Sequence, residues 1–567
     1  MSPSPNPRRV ASRDDLRGDL PEDYYLTNFR ALTGFVERTY GEFLNVAERD
    51  WLDAFESCTE PARRLYVRLL GRRGSIFRIG RLRYVEIADI VAAAEELAGR
   101  GLVDTAPPAT LAELVPTFTK PELLSLLDLG HLARLSRPEL VARIREAEDD
   151  VTEARRVRER LAAADRWVTV RGHTHFTLFS LCFFGNLHQD TTEFVLSDLG
   201  AVRYEPYPIG PDARAFGSRA QIEAHLRFFE CEWLHEHVDA RDADALLALV
   251  VALPARPAED PLLCRRLDRL RNRVARQLER LGRGDDALAV YAASERPPSR
   301  ERRVRILVAA GREDEAEALC RTIAVAPLGE SESQFVERTL AKLARAAGRQ
   351  VAPVKAFRPL TTRLALRRGE GRVEQVAREF YARRGECHYV ENSLVTGMLG
   401  LFAWDIVFLP LPGAFFHPFQ SGPSDFREPG FRVAREHAFA ERLAELDVPG
   451  QLAGRVLDTW RSRRGVANPL VHWSRLSEAL LQRAIERVPT AHWRVLFERV
   501  LDDTRENTTG LPDLVRFPDE GGYELVEIKG PGDALQANQR RWMRHFAAHG
   551  IPCRVVNVCW ATATSAS

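Results

Sequence analysis

Residues 510–529 read GLPDLVRFPDEGGYELVEIK, and this stretch decides how the carboxyl-terminal part of the chain folds. A run of strand-forming residues lies on each side of Pro518–Gly522, whose composition is typical of a turn. The pattern predicts a β-hairpin. Because strand side chains alternate between two faces, Glu527 and Lys529 are expected to point the same way. Asp513, at the start of the first strand, is expected to lie across from them.

The three side chains have the spacing of the PD-(D/E)xK nuclease motif, and the step from Asp513 to Glu527 is 14 residues. Two carboxylates on one sheet face can bind a hard divalent cation, because such cations prefer oxygen ligands. A cation there polarises a scissile phosphate and activates water, while Lys529 can offset charge on the phosphoryl oxygens. The backbone carbonyl of Ile528 can complete the metal shell.

Lysine is rare in this chain, which gives Lys529 more weight. Only four of the 81 Lys and Arg residues are lysine: Lys120, Lys342, Lys355 and Lys529. A lysine kept against this bias indicates a need for a compact ammonium rather than a planar guanidinium. An acid-x-Lys triplet by itself also fits a solvated strand face. Its combination with Pro-Asp and the hairpin favours a nuclease.

A helix and a further strand are predicted after the hairpin. Residues 535–549 place Trp542 and Phe546 on one helical face together with Gln539. As the polar member of that face, Gln539 can project toward the carboxylates and support them. Cys553–Trp560 is rich in valine and predicts a strand, so the expected order is hairpin, helix, strand.

Residues 510–533 are similar to the VRR-type nuclease domain of the Fanconi anaemia-associated nuclease family. Upstream, Glu391-Asn392-Ser393 and then GLFAWDIVF at 400–408 resemble the family's helix whose leading glutamate binds metal. From the residues alone, Glu391 is expected to open a nearly apolar helix, where the helix dipole also favours a first-turn acid. The resemblance covers most of the chain and is strongest in residues 24–105 and 373–560.

The resemblance implies a metal site whose ligands are Glu391, Asp513, Glu527 and the Ile528 carbonyl, with Asp513, Glu527 and Lys529 catalytic. It implies Mg²⁺ or Mn²⁺ as cofactor, as a pair of ions. The implied activity is that of a structure-specific DNA nuclease, a 5′-flap endonuclease and 5′→3′ exonuclease in interstrand crosslink repair, with branched or flapped DNA as partner. A Holliday-junction resolvase and an inactive helical-repeat DNA-binding scaffold are the alternatives.

Length and composition agree with a multidomain enzyme. A chain of 567 residues exceeds the size of a single core, and 45% hydrophobic and 28% charged residues are ordinary for globular proteins. Neither a membrane span nor a signal peptide is expected, and eight scattered cysteines fit a reducing cytoplasm. We expect a cytoplasmic, nucleoid-associated protein. With a net charge of only +1, DNA binding must come from local basic patches.

One such patch follows a helix predicted at residues 61–70. It contains Arg72, Arg73, Arg78 and Arg81 and precedes another helix with a wing-like ending. This order is typical of a winged helix that binds DNA. A solvated basic loop is the alternative.

A second pattern is repeated after 17 residues. Lys120-Pro121-Glu122-Leu123 follows Thr119, and Arg137-Pro138-Glu139-Leu140 follows Ser136. A Thr or Ser N-cap before proline in the first turn predicts a short helix each time. The pair resembles a SAP-type DNA-binding element, with Lys120 and Arg137 as DNA contacts. A plain helical hairpin is the alternative.

The segment 166–215 is rich in strand-forming residues and is predicted to add strands to the N-terminal core. Two His-x-His pairs, His173/His175 and His235/His237, would share a strand face. They fit either a zinc site or a structural role, and the structural role is favoured.

Residues 216–355 are predicted to form a tetratricopeptide-like (TPR-like) helical scaffold. Gly282–Ala289 is repeated as Gly311–Ala318, a step of 29 residues that fits degenerate helical hairpins. Arg300 and Arg302 can bind DNA phosphates or lie on a solvated helix face. The sequence contains no Walker-type phosphate loop, so no ATP motor is expected.

The expected architecture is a mostly α-helical multidomain chain that ends in an α/β PD-(D/E)xK nuclease domain. The predicted parts are a loose tail (1–20), a DNA-binding region with winged-helix-like and SAP-like elements (21–165), the strand-rich segment (166–215), the TPR-like scaffold (216–355) and the VRR-type nuclease domain (356–567). Ubiquitin binding is not expected, because no Cys/His set with zinc spacing lies near the start of the sequence.

Overall fold

The computed structural model describes residues 23–72, 74, 76–105, 109–189, 194, 202–351, 357–369 and 371–561. The predictions for residues 1–20 and for Arg73 therefore lie outside the described residues. The chain forms two compact units. The first comprises Met1–Ala201 and Phe216–Leu226, and the second Val202–Ala215 and Arg227–Ser567. No helix in the described ranges is long and apolar enough to cross a membrane.

The first unit combines short helices with a small antiparallel sheet. Its helices are α1 (Tyr24–Tyr40), α2 (Val46–Glu56), α3 (Glu60–Leu70), α4 (Ile90–Gly99), α5 (Leu111–Leu114), α6 (Lys120–Leu126), α7 (Arg137–Arg145), α8 (Val151–Ala164) and α9 (His173–Phe184). The strands β1 (Ile76–Arg78), β2 (Val103–Asp104) and β3 (Trp167–Val170) pair in the order β1-β3-β2. Helices α3 and α4 pack together and contact this sheet, in the manner of a winged helix.

Helices α6 and α7 begin where the repeated sequence element predicts. Thr119 and Ser136 each form a capping box with the glutamate three residues later, which satisfies free backbone N–H groups at both helix starts. Leu123 and Leu140 are buried in one cluster with residues of α8. The sequence therefore predicts this helical pair correctly.

The expectation of a strand-rich segment at 166–215 is wrong for most of the residues that the structure describes there. Only Trp167–Val170 form a strand, and Gly172, with a positive φ of 94°, precedes helix α9. Phe179, Phe183 and Phe184 of α9 are buried, and a continuous apolar run fits a buried helix as well as a strand. His173 and His175 consequently lie on a helix.

The second unit begins with a stack of helices. These are α10 (Arg219–His237, of which residues 227–237 belong to this unit), α11 (Ala243–Ala252), α12 (Pro261–Arg280), α13 (Gly284–Ala292), α14 (Ser299–Ala309), α15 (Glu313–Val325) and α16 (Glu330–Ala346). From α12 onward, consecutive helices pack on one another. Gly282 (φ 76°) and Gly311 (φ 72°) end α12 and α14, so the 29-residue sequence repeat marks two equivalent helix junctions.

The interpretation of His235 and His237 as a zinc site is wrong as well. His235 and His237 lie in α10, where residues two apart point away from each other. Within the described ranges, these histidines belong to no group of three or more His, Cys, Asp or Glu side chains that could hold a metal ion.

The remainder of the second unit is built on a mixed five-stranded sheet. Its strands are β4 (Thr361–Leu366), β5 (Gly385–Tyr389), β6 (Leu514–Pro518), β7 (Glu524–Lys529) and β8 (Cys553–Trp560), and its helices are α17 (Val373–Tyr381), α18 (Leu394–Phe402), α19 (Trp404–Val407), α20 (Glu436–Ala444), α21 (Gln451–Ser462), α22 (Glu478–Arg487), α23 (Thr490–Asp502) and α24 (Ala537–Ala548). The strand order is β4-β8-β7-β6-β5. Strand β8 is parallel to both neighbours, and the other pairs are antiparallel.

Helices cover both faces of this sheet. Val526 and Ile528 pack on one face with Ala377 of α17, whereas Leu525 belongs to the cluster that includes Trp542 of α24. The hairpin, the helix and the final strand lie within a residue or two of the predicted positions. Alternation along β7 then directs Glu527 toward the α24 side.

Candidate active site

Asp513 stands immediately before β6, at the place predicted for it. Its carboxylate oxygen Oδ2 accepts a hydrogen bond of 2.8 Å from the amide of Ile528 on the neighbouring strand, and its backbone carbonyl accepts one from the amide of Val390. Asp513 is only 8% exposed. These bonds tie the carboxylate to β7 and to the end of β5.

Glu527 is the centre of the site and is fully buried. Its Oε1 accepts hydrogen bonds from Gln539 Nε2 at 2.6 Å and from Lys529 Nζ at 2.8 Å. Its Oε2 has no hydrogen-bond partner among the residues that the structure describes. A buried acceptor without a partner is costly, so this oxygen is available to a ligand.

Gln539 has two functions in this arrangement. Its side-chain oxygen accepts a hydrogen bond of 2.9 Å from the amide of Gln536 and so caps helix α24. Its amide nitrogen donates to Glu527. The start of α24 thus fixes the carboxylate of Glu527, and the supporting role of Gln539 in catalysis stays a prediction.

Buried negative charge dominates the electrostatics of the site. Burial, and then the negative charge of Glu527, raise the pKa of Asp513 well above its ordinary value. Burial also raises the pKa of Glu527, and Lys529 opposes that shift in part. Glu391 and Glu374 add further negative charge to both groups. A divalent cation would relieve this repulsion.

Glu391 lies in the turn between β5 and α18. The expectation that it opens the helix is wrong, because α18 begins only at Leu394 and the positive φ of Asn392 (51°) breaks the backbone before it. The carboxylate of Glu391 is exposed and accepts a hydrogen bond from the Tyr389 hydroxyl. Asn392 Oδ1 accepts one of 3.0 Å from the amide of Leu511. This amide contact joins the Glu391 turn to the segment that carries Asp513.

The residues present fit a metal ion. Carboxylates and a carbonyl form an oxygen donor set suited to a hard divalent cation, and Glu527 Oε2 is a buried oxygen without a partner. Asp513, Glu527 and the carbonyl of Ile528 would hold the ion. Glu391 is the further ligand that the resemblance implies, but among the described residues no three carboxylates lie close enough together to form a metal site as they stand. The bond from the Ile528 amide to Asp513 fixes the orientation of the strand at that carbonyl.

Three neighbouring residues were missed by the sequence reasoning. Glu374, near the start of α17, contributes negative charge to Asp513 and Glu527. Tyr389 and Asn392 hold the Glu391 turn. Asn392 offers one sequence signal, since asparagine before serine and an apolar helix is typical of a turn with positive φ. Glu374 offers none, because it reaches the site through packing of α17.

The predicted DNA-binding residues are engaged in contacts within the protein. Arg78 donates to Asp165 and Glu122, and Arg81 donates to Glu122. The other predicted side chains make these bonds: Arg72 to the Tyr84 hydroxyl, Lys120 to the Ala133 carbonyl, Arg137 to the Pro116 and Phe118 carbonyls, Arg300 to Glu332 and Arg302 to Glu279. Their contact with DNA stays a prediction.

A mixed sheet with Asp513, Glu527 and Lys529 at one end of its interior strands β6 and β7, and with helices on both faces, defines a metal-dependent nuclease of the PD-(D/E)xK class. The sequence matches the VRR-NUC domain family over residues 448–560 and the FAN1 HTH domain family over residues 23–104. It is 37% identical to the Fanconi-associated nuclease 1 homolog of Pseudomonas aeruginosa, over 95% of this chain and 97% of that protein. The chain belongs to the Fanconi-associated nuclease family.

Other relatives agree with this assignment. The Fanconi-associated nuclease 1 homolog of Arabidopsis thaliana is 24% identical over 94% of this chain and 67% of that protein. The crystal structure of paFAN1 bound to a 2-nucleotide 5′-flap DNA with a gap superposes with a TM-score of 0.84 at 36% identity. It covers 96% of this chain and 99% of that one. The predicted family, the mostly helical multidomain fold and the DNA nuclease class are confirmed.

Proposed function

We propose that this protein is a metal-dependent, structure-specific nuclease that cuts 5′-flapped DNA. The observation that carries the proposal is the buried Glu527, held by Gln539 and Lys529 beside Asp513, with one oxygen free for a ligand. A relative of 36% identity with the same fold was crystallised on 5′-flap DNA. The finer activities proposed are 5′-flap endonuclease and 5′→3′ exonuclease, in the repair of interstrand crosslinks in the cytoplasmic nucleoid.

The side chains divide the work of phosphodiester hydrolysis. Bound Mg²⁺ or Mn²⁺, proposed as a pair of ions, would activate water and polarise the phosphate. Gln539 orients Glu527, and the Ile528 amide orients Asp513, so both carboxylates are preorganised. Lys529 Nζ lies 2.8 Å from Glu527, where it can position the attacking water and stabilise charge on the phosphoryl oxygens.

The N-terminal region and the helical scaffold are proposed to position the DNA. Exposed guanidiniums and an ammonium, at Arg72, Arg81, Lys120 and Arg137, are suited to phosphate contacts that do not read sequence. Arg300 and Arg302 would add contacts from the scaffold. We keep the five-part domain division, 1–20, 21–165, 166–215, 216–355 and 356–567, as part of this proposal.

Digestion of labelled DNA tests the function directly. Wild-type protein with Mg²⁺ or Mn²⁺ is expected to cut a 5′-flap substrate faster than a 3′-flap, a four-way junction or blunt duplex. An Asp513→Ala variant should bind the flap but not cut it. Symmetric cleavage of the junction in preference to the flap would identify a resolvase instead, and binding without cleavage by the wild type would identify an inactive scaffold.

A further inference from the structure

A cleft of about 440 Å³ opens between helix α17, the end of β5 and the start of α22. Arg372, Arg378 and Arg475 line it, together with Tyr389 and Leu476. The volume is within the range of about 300–1,000 Å³ for clefts that hold a ligand. It has a basic, partly apolar wall.

The three cleft arginines lack carboxylate partners. In the part of the chain that the structure describes, Arg372, Arg378 and Arg475 have no ion pair, and Arg475 lies over the Tyr389 ring with its guanidinium carbon 4.8 Å from the ring centroid. By contrast, the nearby Arg483 is paired with Glu386 and Glu486. A guanidinium free of carboxylates keeps its planar set of donors for a phosphate.

This cleft is continuous with the catalytic centre. Tyr389 lines the cleft and its hydroxyl donates to Glu391. Glu374 also lines the cleft and lies near enough to Asp513 and Glu527 to act on them through its charge. The centre thus has four carboxylates and Lys529 as its cation, and such a surface alone repels a polyanion. Positive charge must flank it where a DNA strand passes.

We infer that this cleft binds the phosphodiester backbone of the DNA strand next to the scissile phosphate, with Arg372, Arg378 and Arg475 as the phosphate contacts. Tyr389 and Leu476 provide an apolar wall for a sugar or base. The inference rests on the proposed nuclease function and gives it a path for the substrate. Continuity with the catalytic carboxylates favours a DNA strand over an acidic peptide, which has no reason to lie beside them.

Phosphate-by-phosphate neutralisation of the DNA tests the inference. An Asp513→Ala background keeps the flap DNA intact, and binding is measured by fluorescence anisotropy in this background with and without Arg372→Gln/Arg378→Gln/Arg475→Gln. The cleft substitutions should weaken binding about tenfold or more and lower the slope of log affinity against log salt by about 2–3. A methylphosphonate placed in turn at each phosphate next to the flap junction should weaken binding several-fold at one or more positions with the cleft intact, and not with the cleft substituted.

A matched control removes three positive charges elsewhere. Arg312, Arg321 and Arg349 are already paired with Glu315 or Glu317, so their substitution by glutamine should change the slope much less. If the triple variant unfolds, the double variant Arg372→Gln/Arg378→Gln takes its place. It retains Arg475 and its contact with Tyr389, and it should show an intermediate loss of DNA affinity.

The outcomes separate the cleft from the nuclease function. If the cleft variant binds every methylphosphonate DNA with the same relative loss as the intact cleft, the inference is wrong. Unchanged DNA affinity would overturn it as well and would leave an acidic peptide as the candidate ligand. If the coupling is found but wild-type protein cuts no flap, the proposed function fails and the DNA-binding cleft stands.

Discussion

One end of strands β6 and β7, with Asp513, Glu527 and Lys529, and the basic segment after α3, residues 72–81, both carry charged side chains. The contacts of those side chains differ between the two regions. At this end of the sheet, Lys529 is paired with Glu527, whose second oxygen has no partner within the described ranges. In the basic segment, Arg78 is buried and bonded to Asp165 and Glu122. The carboxylate of Glu527 can therefore still bind a ligand, whereas the guanidinium of Arg78 is already bonded within the fold.

The difference teaches that the partners of a charge, not its sign, decide what it can do. A guanidinium between two carboxylates gains little from a phosphate, because it must first give up the bonds that it has. A buried carboxylate oxygen without a partner gives up no existing bond when it binds a cation, so the whole interaction free energy favours binding. Four substitutions probe this contrast.

Asp513→Ala should have the largest effect. Without this carboxylate the site loses a proposed metal ligand and the bond to the Ile528 amide. Loss of several kcal/mol of transition-state stabilisation corresponds to about a thousandfold or more in rate. Affinity for flap DNA should stay within a few-fold, because arginines supply most phosphate contacts. Single-turnover cleavage with Mg²⁺ measures the rate, and cleavage at the wild-type rate would remove Asp513 from the mechanism.

Lys529→Arg should have the next largest effect. The change keeps the charge but replaces a compact ammonium, 2.8 Å from Glu527 and 11% exposed, by a larger planar group. A misplaced donor to the developing oxyanion costs about a hundredfold in rate. Single-turnover cleavage at saturating enzyme separates this from binding. A rate within threefold of wild type would mean that Lys529 supplies only background charge.

Arg78→Ala should destabilise the N-terminal unit rather than weaken DNA binding selectively. The substitution removes the guanidinium bonds to Asp165 and to Glu122, while Glu122 keeps its pair with Arg81 and Asp165 its bond from the Gly80 amide. We expect a cost of about 2–3 kcal/mol. Hydrogen exchange at β1 and β3 measures the loss of protection. Arg81→Ala is the control, because its pair with Glu122 is more exposed. A lower salt slope with unchanged protection would return Arg78 to the DNA-binding surface.

Glu122→Gln should have the smallest effect, a change in how the free energy of unfolding depends on pH. The Arg78 guanidinium lowers the pKa of Glu122 far below its ordinary value. A depressed pKa means that Glu122 stabilises the fold above its unfolded pKa of about 4.3, and that this contribution is lost as pH falls toward the folded pKa. The unfolding free energy of wild type relative to Glu122→Gln should therefore shrink below about pH 4. Urea titrations from pH 7 to 3 measure it, and a constant difference would contradict the role of Glu122.

The sequence was sufficient where the interactions are local or follow one strand. Glu527 and Lys529 share a face because they are two apart on β7, and Gln539 faces them from the next helix. The partners of Arg78 could not be predicted, since Asp165 is 87 residues away and approaches through the pairing of β1 with β3. Glu374 could not be predicted either, because it reaches the site through the packing of α17. The strand prediction for α9 was wrong because most residues of its second half are buried. Such burial removes the periodicity that distinguishes a helix from a strand.

The hydrogen bond between Asn392 and the Leu511 amide has a consequence for engineering and divergence. It joins two positions 119 residues apart in the chain, so the alignment of Glu391 with Asp513 does not depend on the contour length between them. Loop entropy rises only slowly with added residues. Insertions in surface turns between residues 403 and 510 should therefore be tolerated, whereas the short link between Lys529 and Gln539 should resist any change of length.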